Sequence, residues 1–137
     1  MNLSQSMKIK TKSKRKYWIT KLDKLVSLIV RERAGWKCER CFKQYAPPTK
    51  ALHCSHYFSR RHMGTRFDLN NLCALCYGCH KRWEGMKQDE YKEFMIERIG
   101  EDALKMLEDV KNTTFKVTDE DLEIIHTNLL DRSSNKT

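Results

Sequence analysis

Cys76-Tyr-Gly-Cys79-His80 decides the fold, because its two cysteines have a partner pair upstream in Cys38-Glu-Arg-Cys41. Tetrahedral zinc takes four soft ligands, and each Cys-x-x-Cys turn presents two thiolates from one tight loop. The two pairs therefore predict one structural Zn2+ per chain, held by Cys38, Cys41, Cys76 and Cys79. Cys73-Ala-Leu-Cys76 overlaps the second pair and makes Cys73 a rival to Cys79. Gly78 favours the Cys76–Cys79 pairing, since glycine suits a sharp knuckle. Cys54 and Cys73 are then expected as buried thiols. The 34 residues between the pairs exceed what a simple finger needs, so a functional insert is expected there.

Around this region, 137 residues leave room for one compact domain and little more. Residues 1–17 are polar, cationic and aperiodic, and read as a flexible basic arm. From Ile19, apolar residues follow helical spacing through Val30, and Gly35 is placed to end that helix. Ala51–Phe58 and a stretch near Thr65–Leu69 read as two strands joined by the basic loop Ser59–Gly64, and Cys76–Glu84 as the start of a helix. Asp89 is a cap candidate for a helix closed by Gly100. Ala103–Val110 suggests the next helix. Thr118 with Asp121 resembles a capping box before the last one. The expected division is an arm (1–17), a zinc-stapled core with its N-terminal helix (18–88), a helical extension (89–130) and a disordered tail (131–137).

Charge is divided along the chain. Residues 1–82 carry 19 basic and 4 acidic side chains, whereas residues 83–137 carry 8 basic and 14 acidic ones. A basic front implies a polyanion partner, and an acidic rear offers a surface to a protein partner or a second copy. No apolar run approaches the ~18 residues of a membrane span. The apolar stretch Leu25–Val30 is broken by Ser27 and followed directly by Arg31, Glu32 and Arg33, unlike a secretory signal. A reducing cytoplasm is expected, where paired cysteines more often hold metal than form disulfides.

Four of the five histidines, His53, His56, His62 and His80, fall within 28 positions. That window holds His56-Tyr-Phe, then Arg66-Phe-Asp-Leu-Asn-Asn71-Leu, then Cys76-x-x-Cys79-His80. From Cys38 to Gly85 this series resembles the zinc-knuckle members of the HNH endonuclease superfamily. The aromatic after His56, the Arg-Phe pair before Asn71 and Gly85 are also similar to the NinG/Rap recombination nucleases of lambdoid phages. The resemblance implies an α+β fold: a ββα-metal (HNH) core stapled by the four-cysteine zinc, with an N-terminal helix and C-terminal helices. It implies catalytic places for His56, Asn71 and His80, and a bacterial host cell as the setting. Two departures stand out. The phage proteins often show Asn where this chain has His80, and many superfamily members carry Asp or His where it has Ser55.

The chemistry is consistent with that resemblance. A neutral imidazole, with an ordinary pKa near ~6.5, can take a proton from water at neutral pH, and His56 is assigned that task. A divalent Mg2+ or Mn2+ can stabilise charge at phosphorus and on the departing 3′ oxygen. His80 is its first candidate ligand. Asn71 either ligates it or braces the loop opposite His56. His53 is a further candidate, although strand alternation turns it from His56 unless a bulge intervenes. Lys14, Arg15, Lys16, Arg60, Arg61, Arg66, Lys81 and Arg82 are candidate contacts to DNA phosphates. The leading expectation is a metal-dependent DNA endonuclease, with branched DNA of phage recombination as a candidate substrate. The alternative is a non-catalytic zinc-containing DNA-binding module or recombination adaptor.

Overall fold

The computed structural model describes residues 3–85, 88–114 and 116–134. A long helix, α1 (Leu3–Arg33), precedes β1 (Leu52–His56), the single turn α2 (Met63–Arg66), a 3-10 turn at Leu69–Asn71 and β2 (Leu72–Cys76). Four more helices follow: α3 (Tyr77–Gly85), α4 (Gln88–Ile99), α5 (Glu101–Lys111) and α6 (Asp119–Ser134). The class is α+β: mostly helical, with one small antiparallel sheet in which β1 and β2 pair from Leu52↔Cys76 to His56↔Leu72.

α1 begins well before the expected Ile19, so residues 3–17 are helical rather than an arm. That segment has no Gly or Pro and is rich in Lys, a good helix former, so it extends a helix that packing anchors further on. The anchor is Leu22, Val26, Ile29 and Val30, which recur every three or four residues and are buried. At the other end Gly35, at φ +65°, donates to Glu32 O at 2.9 Å, and Trp36 N–H donates to Arg31 O at 2.9 Å. This is a Schellman ending, and Gly35 supplies its left-handed residue.

The second strand lies at 72–76, not 65–69. Asp68 caps the 3-10 turn by accepting from Asn70 N–H at 2.9 Å, so the chain near Thr65–Leu69 coils instead of extending. Leu72-Cys-Ala-Leu-Cys76 is continuously apolar and almost wholly buried, the pattern of a strand covered on both faces. Its outer edge is closed by Glu39, whose N–H donates to Ala74 O at 2.8 Å while its carboxylate accepts from Ala74 N–H.

α6 completes the core rather than extending it. Val117, Leu122 and Leu129 join α1 and the sheet in one buried cluster. Arg15 ties the pair together, its Nη1 donating to Val117 O at 3.0 Å and to Asp119 Oδ1 at 3.2 Å. The Thr118–Asp121 capping box forms reciprocally, at 2.8 and 3.1 Å. The helix runs through residues 131–134 of the expected tail; 135–137 lie outside the described residues. Gly100, at φ +89°, ends α4 with its N–H on Ile96 O. The expected cap Asp89 falls within α4, and its side chain lies outside the described residues. A second cluster, Phe58, Met95, Leu104 and Leu107, seats α4 and α5 beside the loop after β1.

Leu122 is fully buried between α6 and α1. Leu122→Ala is expected to cost about 2–5 kcal/mol in denaturant unfolding. A midpoint equal to that of the unaltered protein would show that α6 is not part of the core.

Candidate functional site

The four cysteines come together from three places. After the Schellman ending, Lys37 bridges Gln44, Cys38 N–H donates to Lys43 O at 3.0 Å and Phe42 N–H donates to Cys38 O at 2.9 Å. This knuckle is tight enough to put Trp36 and Phe42 at positive φ, an uncommon state for bulky residues. Cys76 ends β2 and Cys79 lies in the first turn of α3. All four Sγ atoms lie within 4.8 Å of one another, and Cys41 Sγ is 3.6 Å from Cys76 Sγ. Zn–S bonds of about 2.3 Å in a tetrahedron put sulfurs about 3.8 Å apart, so the set fits a structural metal such as zinc. Ionisation is shared unequally. Burial opposes it at Cys38, but the N–H groups of Cys41, Cys76 and Arg40 outweigh that and bring its pKa down to about 7. Cys79 is pushed up to about 12 by burial and by the sulfurs of Cys76 and Cys38. A dication removes that conflict. Cys73 lies apart in the core, where burial pushes its pKa up, and burial likewise raises Cys54 to about 12.

Beside this centre, β1, α3 and α1 enclose a cavity of about 430 Å³ whose walls include Asp23, His53, His56, Arg60, His80 and Glu84. His56 comes from the end of β1. Its Nε2 lies 3.1 Å from the carbonyl oxygen of Arg66. A carbonyl only accepts, so Nε2 carries the proton and Nδ1 keeps the lone pair. Burial, reinforced by the charge of Arg60, lowers the His56 pKa to about 4. Trp83 Nε1 donates to His56 O at 2.8 Å and fixes the strand end to α3.

His80 is held at both ring nitrogens. Nδ1 is 2.7 Å from Ser55 Oγ, and Nε2 is 3.1 Å from Glu84 Oε1 one turn along α3. Ser55 thus uses the place next to His56 to orient His80. The register of β1 is unbroken, so no bulge turns His53 toward His56. Instead His53 stacks on His80 with centroids 5.0 Å apart and planes 5° from parallel. Lone pairs in parallel, stacked planes do not converge on one ion, so in this arrangement His53 and His80 do not ligate together.

Asn71 is a brace. Its side chain is fully buried, Oδ1 accepts from Phe58 N–H at 2.8 Å, and Nδ2 donates to Phe58 O and Thr65 O at 3.0 and 3.1 Å. Both amide hydrogens and one lone pair of Oδ1 go to holding the loop between the strands, the bracing alternative of its two expected roles. Arg66 is likewise committed: Nε and Nη2 grip Asp23 at 3.1 and 2.7 Å, and Nη1 donates to Arg60 O. It serves structure, as Arg15 does, and neither is a free phosphate contact. Arg60 reaches the cavity, and Arg61, Lys81, Arg82, Lys14 and Lys16 are exposed. Glu84 and Asp23 were not singled out in the sequence. Glu84 sits four residues after His80, a helical neighbour that spacing marks. Asp23 lies far upstream and carries no local signal.

A family model described as the bacteriophage lambda NinG protein matches residues 2–135. The chain belongs to the NinG family. No curated protein and no solved structure matches it. The NinG match runs from α1 through α6, so the helix pair that closes the core and the cysteine cluster both fall inside the family's extent. Among the described residues of this NinG chain, no helix is long and apolar enough to cross a membrane.

Elemental analysis of protein purified without chelator is expected to give one zinc per chain, and Cys41→Ser to lose it together with thermal stability. Full stability of a metal-free protein would remove the structural role. Asn71→Ala leaves buried backbone groups of Phe58 unpaired and is expected to cost at least about 2 kcal/mol. A neutral effect in urea unfolding would show that the loop does not depend on it.

Proposed function

We propose that this NinG-family protein is a metal-dependent DNA endonuclease of the HNH type. The observation that carries this reading is that His56 and His80 line one cavity, with His56 held in the tautomer that leaves Nδ1 free to accept a proton. In the proposed step Nδ1 takes a proton from water as the water oxygen bonds to phosphorus. The P–O3′ bond breaks, and the 3′ oxygen leaves to be protonated from solvent. Arg60 at the cavity wall, with Arg61, Lys81 and Arg82 outside it, is suited to phosphate oxygens. Mg2+ or Mn2+, held by His80 and Glu84, would supply charge stabilisation at phosphorus and at the departing oxygen. The donor set suits such an ion: adjacent ligands at about 2.1 Å stand about 3 Å apart, close to the 3.1 Å between Nε2 and Oε1. Ser55 then orients the His80 ring from behind. Family membership supports a place in phage recombination within the bacterial host, with DNA as partner.

The depressed His56 pKa has two consequences. The ring is neutral at pH 7 and ready to accept, but it is a weak base. A bound phosphate offsets the charge of Arg60 and raises its basicity when substrate is present. Since the neutral form is active, activity is lost only as pH falls through the folded-state value. The kcat/KM profile is expected to stay flat from pH 8 to pH 5.5; a half-point near 6.5 would mean that His56 is not buried as described.

His56→Ala is expected to abolish Mg2+- or Mn2+-dependent nicking while zinc content and DNA affinity stay within about twofold, because catalytic base and phosphate contacts are separate groups. Undiminished cleavage would end the assignment. No cleavage by the unaltered protein on duplex, flap or junction DNA would leave the zinc-containing DNA-binding module or recombination adaptor.

A further inference from the structure

Tyr77 is 62% exposed although it sits beside the cavity, immediately after the cysteine that ends β2. Trp83, Tyr91 and Phe94, the aromatic side chains grouped on α3 and α4, are occupied. Trp83 is hydrogen-bonded to His56 O and stands edge-on to Tyr91 at 4.2 Å, and Tyr91 donates to Cys79 O at 3.0 Å. Phe94 joins the same group at 6.2 Å from Trp83. Tyr77 instead begins a line of rings that leads inward. Its centroid lies 6.2 Å from His53, and His53 is stacked on His80 inside the cavity. Lys81 Nζ lies 5.7 Å from the Tyr77 centroid, and Arg82 follows it on α3.

An exposed ring beside cations suits a nucleobase joined to its phosphate. Aromatic side chains stack on any base, because every base has a π-face, while the cations take the backbone. In a duplex both faces of a base are covered by its neighbours. Within a duplex, away from its ends, a surface ring can stack only on a base that has left the helix. The separation also fits, since Tyr77 and His80 stand three residues apart on α3 and His53 of β1 contacts both rings.

We propose that Tyr77, backed by His53, stacks an unpaired nucleobase next to the phosphate held at the His56–His80 cavity. The substrate class is then DNA with an unpaired nucleotide at the cleavage point. The position of that phosphate rests on the endonuclease reading above, whereas the stacking itself does not require cleavage.

The test uses the full zinc-loaded chain without added Mg2+ or Mn2+. The probes are a gapped duplex with a fluorescent adenine analogue in the gap and a fully paired duplex of equal length. The unaltered protein is expected to bind the gapped DNA more tightly and to quench the analogue. Tyr77→Ala is expected to lose the quenching and about tenfold in affinity for the gapped DNA, with duplex affinity unchanged. Tyr77→Trp is expected to keep both. Equal loss on both DNAs, or no loss on the gapped DNA, would overturn the proposal. Tyr77 is exposed, so zinc content and melting temperature are expected to match in all three proteins. Failure of the endonuclease reading appears separately, as no cleavage by the unaltered protein when Mg2+ or Mn2+ is added, and leaves the stacking result interpretable.

Discussion

Four sulfurs within 4.8 Å cannot all be thiolates without a cation among them, and this constraint joins the chain's two halves. Cys38 and Cys41 follow α1, whereas Cys76 and Cys79 straddle the junction of β2 and α3. A metal at that point fixes where α3 starts relative to α1. That start sets His80 against Ser55 and Trp83 against the end of β1. The sheet has only two strands, and two strands alone are marginal in water. Its geometry is therefore borrowed from the knuckle on one edge and from α1 and α3 on its faces. The cavity between His56 and His80 exists because those supports agree.

The basic residues divide on a physical line that the sequence does not draw. Arg15, Arg31, Arg33 and Arg98 each donate to a backbone carbonyl, joining α1 or α4 to a loop or element distant in the chain, and Arg66 grips the Asp23 carboxylate of α1. A guanidinium spreads several donors over a planar fork, so it can satisfy carbonyls at Thr49, Asn70, Leu72 and Val117, where loops meet the regular elements. Lysine cannot do this as well, and Lys14, Lys16 and Lys81 stay exposed. The excess of positive charge in the front half is thus two populations. One is internal scaffolding, and the other is the surface available to a polyanion.

What could be read in advance follows from whether the signal is local. The cysteine spacing, the glycine ends of α1 and α4, the capping box at Thr118 and the apolar periodicity of Leu22–Val30 depend on neighbours a few residues away, and each has its structural counterpart. Cys79 rather than Cys73 joins the cluster as expected, although Gly78 is not the cause, since it lies in the first turn of α3 without positive φ and with open space where a Cβ would stand. The second strand lies several residues beyond its expected place: Thr65–Leu69 has strand-like composition, but Thr65 and Arg66 close the turn α2 on His62 O and Asp68 caps the turn that follows. The length of α1 was missed because a lysine-rich segment has no apolar stripe to mark it. Asn71, Arg66 and Asp23 could not be resolved, as their roles are set by partners 6 to 43 positions away.

Charge balance in the cavity bears on the proposed chemistry. Asp23 is neutralised by the two-pronged grip of Arg66, and Arg60 is the cation left at the wall. Glu84 faces a histidine at Nε2 and has Lys81 Nζ 3.9 Å away, an exposed contact that screens little. A phosphodiester entering beside His56 therefore meets one cation and one carboxylate that is poorly compensated. Under the endonuclease reading His80 and Glu84 would hold a divalent cation, and that carboxylate would then be a ligand instead of a repulsive group. His56, kept neutral by burial, would remain the group free to accept a proton. The two histidines occupy one cavity yet are biased apart, one by a carbonyl that fixes its tautomer and the other by a carboxylate that suits it to a metal.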